Sequence, residues 1–185
     1  MASPKQHQLQ YTEFWQARTG LTFGVERILF NRQSAYQHVQ VLQTDAFGRM
    51  LTLDGLVMLT ERDEFVYHEM ISHPALCLLP RPRRVLIVGG GDGGTLREVL
   101  RYSEIEQVDL VEIDEVVIEA ARTCFPELSI AFDDPRAVCT WPMAWPSCGK
   151  RPRPPTIWSS SIRPIRWTLP RGCSASRSTG TAPAS

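Results

Sequence analysis

Positions 84 to 114 constrain the fold more than any other part of the chain. Arg84-Val85-Leu86-Ile87-Val88 is an unbroken aliphatic run that stops at Gly89-Gly90-Gly91-Asp92-Gly93-Gly94. Thr95 to Tyr102 then reads as a helix, and Val108-Asp109-Leu110-Val111 as a second apolar strand. That strand ends in Glu112-Ile113-Asp114, ahead of a further helix over Glu115 to Thr123. Strand, glycine loop, helix, strand, acid, helix is how a doubly wound α/β sheet opens.

The loop has a definite chemical use. Glycines accept positive φ and carry no Cβ, so the backbone at Gly89, Gly90, Gly91, Gly93 and Gly94 can turn sharply and come close to a ligand. A carboxylate at the end of the next strand offers two acceptor oxygens to a ribose diol. Glu112 lies 21 residues after Gly91, the interval that role requires. Dehydrogenases and S-adenosylmethionine enzymes share this architecture, so the motif alone names a nucleoside site and no reaction. Asp92 narrows the choice. A dinucleotide pyrophosphate would meet its carboxylate at close range, whereas a sulfonium nucleoside or an amine would be attracted.

Upstream, Tyr11 to Thr60 reads as short strands and turns in a small antiparallel sheet. Gln37-His38-Val39-Gln40-Val41 alternates polar and apolar, as a half-exposed strand does. Asp45-Ala46-Phe47-Gly48 and Asp54-Gly55 are turn signals on either side of Met50-Leu51-Thr52-Leu53. Glu61 to Leu79 has helical spacing, with Pro74 expected to kink or end its regular part.

These segments together resemble the polyamine aminopropyltransferases of the spermidine synthase type. The resemblance rests on Val85 through Glu98, on Leu53-Asp54-Gly55 followed by Thr60 through Met70, on Val111 through Asp114, and on Phe132-Asp133-Asp134-Pro135-Arg136. It runs from about Phe14 to Arg136. It implies transfer of an aminopropyl group from decarboxylated S-adenosylmethionine, a co-substrate rather than a resident cofactor, to putrescine or a similar diamine. The products would be spermidine and methylthioadenosine. By the same resemblance Gln37 and Glu112 hold the nucleoside, Tyr67, His68 and Asp92 hold the amine, and the protein is a homo-oligomer, often a dimer. Both substrates are cations, so an acidic cleft lowers the cost of bringing them together. Met58 stands where many relatives have Gln, which removes one polar contact to the nucleoside.

After Arg136 the resemblance stops. Relatives continue with a strand, an Asp-Gly pair at the adenine, and a strand ending in Asp-Ser-Thr/Ser-Asp-Pro, whose first aspartate acts as general base. Composition changes at the same place. Residues 1–137 carry 20 acidic residues against 13 basic ones, a net charge of −7, while residues 138–185 carry 7 basic residues, 8 prolines, 4 tryptophans and no acid. Back-translation with each codon begun at the third base of the preceding one removes the discontinuity. From Ala137 through Ser147 the permitted codons include Val-His-Val-Ala-Asp-Gly-Met-Ala-Phe, in which Trp141-Pro142 and Trp145-Pro146 force Ala and Met143-Ala144 forces Gly. Pro155 to Arg166 permits Tyr-Asp-Met-Val-Ile-Val-Asp-Ser-Thr-Asp-Pro, and Leu169 to Ser174 permits Ala-Glu-Gly-Leu-Phe. The reading is a frameshift near Ala137, in the gene or in its reading, with the catalytic base lost from this translation.

The expected organisation is therefore an N-terminal β-domain over 1–60, the first half of a Rossmann-like domain of the S-adenosylmethionine-dependent methyltransferase type over 61–137, and an out-of-frame, disordered tail over 138–185. Without its further strands the α/β sheet would expose apolar edges. Met1 to Gln10 is polar and no run approaches a membrane span, so the expected location is the cytoplasm. The five cysteines form no CxxC pair, Cys77 and Cys124 read as buried thiols, and no His/Cys spacing suggests a metal site. Three rival readings are a methyltransferase on the same scaffold, a non-catalytic nucleoside-binding or assembly protein, and a basic, tryptophan-bearing tail that binds nucleic acid.

Overall fold

The computed structural model describes residues 9–15 and 19–140. Five strands form the first layer: β1 (Leu9–Trp15), β2 (Thr19–Gln33), β3 (His38–Thr44), β4 (Gly48–Leu53) and β5 (Leu56–Thr60). They pair antiparallel in sequence order, a simple meander. The turn signals fall where expected. Asp54 and Gly55 both have positive φ, at 49° and 85°, the pair a tight two-residue hairpin needs between Leu53 and Leu56. The β3–β4 turn is closed by Thr44, whose hydroxyl donates to the Gly48 carbonyl at 2.7 Å and accepts from the Phe47 amide at 3.1 Å.

β2 is not the short strand expected. It runs 15 residues, with pairing irregularities between Val25 and Arg27 and between Ile28 and Phe30. Such bulges bend a strand, which lets one long element follow a curved sheet.

The second layer contains α1 (Glu64–Leu78), β6 (Arg84–Val88), α2 (Gly94–Leu100), β7 (Gln107–Val111), α3 (Glu115–Cys124), α4 (Pro126–Ser129), a 3₁₀ turn at Ile130–Asp133 and β8 (Ala137–Thr140). β6, β7 and β8 pair parallel in that order. An N-terminal antiparallel sheet followed by a parallel sheet with helices is the Rossmann-like α/β arrangement expected.

Three local expectations need correction. α1 continues through Pro74 to Leu78; the missing amide removes one bond to the preceding turn without ending the helix. Cys77 is exposed, because it lies on the solvent side of α1, whereas Cys124 is buried as expected. A strand does follow Arg136: β8 joins β7 through Thr140, with Val108 paired to Ala137 and Val111 to Thr140, so regular structure crosses the composition boundary at 137. The remainder of the expected tail, 141–185, lies outside the described residues.

Two apolar clusters hold the layers. Val39, Val41, Leu51 and Leu59 of the meander pack against Val117, Ala120, Phe125 and Leu128, so the amphipathic α3 seals the first sheet. Ile87, Val108 and Leu110 of the parallel sheet pack against Leu96, Val99 and Ile118. On its opposite face Leu86, Val88, Val111 and Val138 are exposed, Val88 by 80%.

Candidate active site

The carboxyl ends of β6 and β7 gather the chemistry, as the switch point of a doubly wound sheet should. The Gly89 amide donates to the Val111 carbonyl at 2.8 Å, tying the loop to the neighbouring strand. The chain then turns through Gly89, Gly90, Gly91, Asp92 and Gly93 into α2, which Gly94 begins. A Cβ on Gly91 would lie 2.8 Å from Glu112 Cγ, so this glycine admits the carboxylate to the loop. Glu112 is buried and its oxygens are fully aligned by amides: Oε2 accepts from Gly91 at 3.0 Å, Oε1 from Ile113 at 2.7 Å and Asp114 at 3.0 Å. A carboxylate fixed this way between a glycine loop and a strand end suits a ribose diol.

Gln37 reaches this region through a residue that sequence reasoning did not single out. Asp114 Oδ2 accepts from Gln37 Nε2 at 2.9 Å and from Ser34 Oγ at 2.7 Å, while Oδ1 accepts from the Val116 amide at 3.0 Å. Asp114 is therefore both the N-cap of α3 and the bolt joining the β2–β3 connection to the end of β7. Its signal in the sequence was an aspartate directly ahead of a helical run.

His68 and Asp92 meet as a pair. His68 is only 2% exposed; its Nε2 lies 3.1 Å from Asp92 Oδ1 and its Nδ1 2.6 Å from Glu64 Oε2. Gly94 is the floor: a Cβ there would lie 2.2 Å from His68 Cε1, so any other residue must displace the ring. The Gly94 amide also donates to Asp92 Oδ1 at 2.7 Å. Burial pulls the His68 pKa down, but bonds and charge from Asp92 and Glu64 outweigh it and hold the ring above its ordinary value. Burial likewise pushes Asp92 up, and the His68 bond and charge with the Gly94 amide bring it below the usual carboxylate range. Tyr67 stands beside the pair with its ring edge-on to His68 at 5.5 Å and is 62% exposed, available to a ligand.

Glu64 is the second residue the sequence reading passed over. Arg97 grips it with two prongs, Nη1 to Oε1 at 2.9 Å and Nη2 to Oε2 at 3.1 Å. Its four-residue spacing from His68 on α1 was the available signal.

Carboxylate–imidazole clustering also occurs away from the loop. Among the described residues Glu69, His73 and Glu98 bring one ligand atom each within 4.8 Å. Glu69 and His73 are four residues apart on α1, and only the fold adds Glu98 from α2. Glu98 is engaged by two cations: its Oε2 accepts from Arg101 Nη1 at 2.7 Å and its Oε1 from Arg97 Nε at 2.9 Å. His73 Nδ1 faces the Tyr102 hydroxyl at 2.9 Å.

The chain is also similar to known proteins along most of its described length. The family model for the spermidine synthase tetramerisation domain matches residues 10–61, and that for the spermine/spermidine synthase domain matches 64–141. The chain belongs to the spermidine synthase family. A spermidine synthase 1 of Hyoscyamus niger is 53% identical over 112 residues, covering 60% of this chain and 36% of the relative. A polyamine aminopropyltransferase of Alkaliphilus metalliredigens is 50% identical over 129 residues, 70% of this chain and 45% of the relative. The crystal structure of the Thermotoga maritima spermidine synthase superposes with a TM-score of 0.72 at 44% identity, covering 75% of this chain and 49% of that one. A spermidine synthase solved with the transition-state analogue AdoDATO gives the same score and identity, with 75% and 47% covered. The chain thus spans less than half the length of these members of the spermidine synthase family.

Proposed function

We propose that this chain carries the donor- and amine-holding part of an aminopropyltransferase acting on decarboxylated S-adenosylmethionine and putrescine or a similar diamine. The observation that carries this reading is one glycine loop with two differently held carboxylates: Glu112, buried and aligned by three amides, and Asp92, clamped by His68 yet 20% exposed. The first suits a ribose diol; the second suits a cation. Gln37, tied to Asp114 beside Glu112, supports the nucleoside side, and Tyr67 supports the amine side. In the transfer, an amine nitrogen attacks the aminopropyl carbon attached to the sulfonium. The C–S bond breaks, its electrons neutralise the sulfur to give methylthioadenosine, and the attacking nitrogen loses a proton to a base.

The base expected of this family belongs to the shifted frame beyond Ala137, so this translation binds without turning over. Restoring that frame and following amine-dependent release of methylthioadenosine tests the reading. Appearance of product only with the restored frame supports it; turnover by the 185-residue chain unaided overturns the lost-base part. Transfer of a methyl group in place of aminopropyl would give the result to the methyltransferase reading. Titration of the chain itself with methylthioadenosine tests the nucleoside site, where saturable binding is expected. The protein further acts as a homo-oligomer through the meander, in keeping with the tetramerisation domain matched there, and works in the cytoplasm. Among the described residues no helix is long and apolar enough to cross a membrane.

A further inference from the structure

The His68 ring sits between two carboxylates, Glu64 on Nδ1 and Asp92 on Nε2. Carboxylates only accept, so satisfying both contacts requires both ring nitrogens to carry hydrogen, which makes the ring an imidazolium. A neutral ring would present a lone pair to one of the two carboxylates. The ring therefore has no remaining N–H for a substrate, which removes direct donation to a ligand from its tasks in this geometry. What it does is hold Asp92. Behind it, Glu64 is held by both terminal nitrogens of Arg97, whose Nε reaches Glu98 at 2.9 Å. The groups facing the ring are thus Glu64 and Tyr67 from α1, Asp92 and Gly94 from the loop and the start of α2, and, one bond removed, Arg97 from α2.

We propose that Glu64 is a positioning residue of the amine site: pinned by Arg97, it keeps His68 doubly protonated, and the second ring N–H fixes the Asp92 carboxylate at the glycine loop. The amine role rests on the function proposed above; the protonation state of His68 does not. Alternating charge along Arg97, Glu64, His68 and Asp92 keeps the buried ring compensated on both sides. Removing the Glu64 charge uncouples the relay. The ring then loses a proton at lower pH, and its Nε2 is free to turn a lone pair toward Asp92, which leaves that carboxylate held by the Gly94 amide without the ring.

Nitrogen-15 NMR of the histidine-labelled chain at about pH 7 reads this directly, with His68 assigned by the signals lost in His68→Asn. Both ring nitrogens are expected at the protonated position, although an ordinary histidine is mostly neutral there. In Glu64→Gln the titration midpoint of His68 should fall by about one unit. Putrescine affinity should fall roughly tenfold, in line with one charge-assisted hydrogen bond lost, while methylthioadenosine affinity stays unchanged. A neutral ring in the unmodified chain, an unmoved midpoint in the variant, or the same putrescine response in both forms overturns the proposal. The first measurement needs no variant, so a misfolded Glu64→Gln protein leaves it decisive. Failure of methylthioadenosine to bind would instead sink the nucleoside reading, and the His68 spectrum would still judge the relay.

Discussion

The meander and the parallel sheet are built from the same kinds of aliphatic residue and end up differently covered. In the meander, Val39, Val41, Leu51 and Leu59 meet α3 on one face while Val25, Leu42 and Met50 cluster on the other. In the parallel sheet Ile87, Val108 and Leu110 are buried, but Leu86, Val88, Val111 and Val138 on the reverse face are exposed. Parallel sheets are normally covered on both sides, and their strands are correspondingly apolar throughout. The lesson is that an aliphatic run states that both faces are to be covered, without stating that the same chain supplies both covers. The glycine loop belongs to the less covered region, and polar links (Asp114 to Gln37, His68 to Asp92) do there what a second apolar layer does in the meander.

The largest test of that contrast is Leu51→Ala. Leu51 is 1% exposed between the meander and α3, and truncating it leaves a cavity lined by residues already in contact. A loss of about 4 kcal/mol is expected, read by chemical denaturation. A loss below about 1 kcal/mol would mean that the meander is no better sealed than the open sheet.

Gly94→Ala comes next, at roughly 3 kcal/mol, because the added methyl has to displace a buried His68 ring that is held at both nitrogens. The loss should be accompanied by weaker putrescine binding. A stable variant that binds putrescine normally would show that the ring moves aside freely, against the clamped geometry.

How much of this was legible beforehand follows the same division. The meander could be read from alternation and from Asp54-Gly55, since turns and pleats are encoded within a few residues. The length of β2 could not, because its two bulges disturb the period that marks a strand. At the site, Gly91 and Glu112 followed from a fixed spacing, and their amide-to-carboxylate bond is present. Asp114 and Glu64 were missed as site residues because their partners, Gln37 and Arg97, are distant in sequence and only the fold brings them near. β8 was missed because Ala137 to Thr140 is too short to show a period and gains its definition from pairing with β7.

Asp114→Ala is the third perturbation, and it strikes the joint between the two regions. It removes an N-cap and leaves Ser34 and Gln37 without their acceptor. About 2 kcal/mol is expected, with a drop in methylthioadenosine affinity. Asp114→Asn, which keeps an acceptor for the cap, should recover part of the stability. Equal losses in the two variants would show that the cap contributes nothing.

The pH dependence of stability distinguishes the polar links from apolar packing. His68 is raised above 6.5 in the folded chain, so its contribution is complete below that value and is lost as pH rises through the raised one. Asp92 is depressed below 3.8, so its contribution is complete above that value and is lost as pH falls through the depressed one. The pair therefore stabilises most between these limits, and denaturation midpoints should decline as pH rises above 6.5 through the raised His68 value. His68→Asn should flatten that slope. A slope unchanged in the variant would assign it to other groups.

Val88→Thr is the smallest expected effect and the most direct control on the comparison. The substitution keeps the β-branched shape that suits a strand and replaces one methyl by a hydroxyl. In a sealed core this swap is costly because the hydroxyl must be desolvated. At 80% exposure Val88 has water beside it, so the change should stay within about 0.5 kcal/mol in the 185-residue chain. If restoring the proposed frame supplies strands and helices that cover that face, the same substitution should cost clearly more there, about 1 to 2 kcal/mol. Equal, small costs in both forms would mean that this face is solvated in the frame-restored protein too, and the contrast between the two sheets would then lie in their sequences.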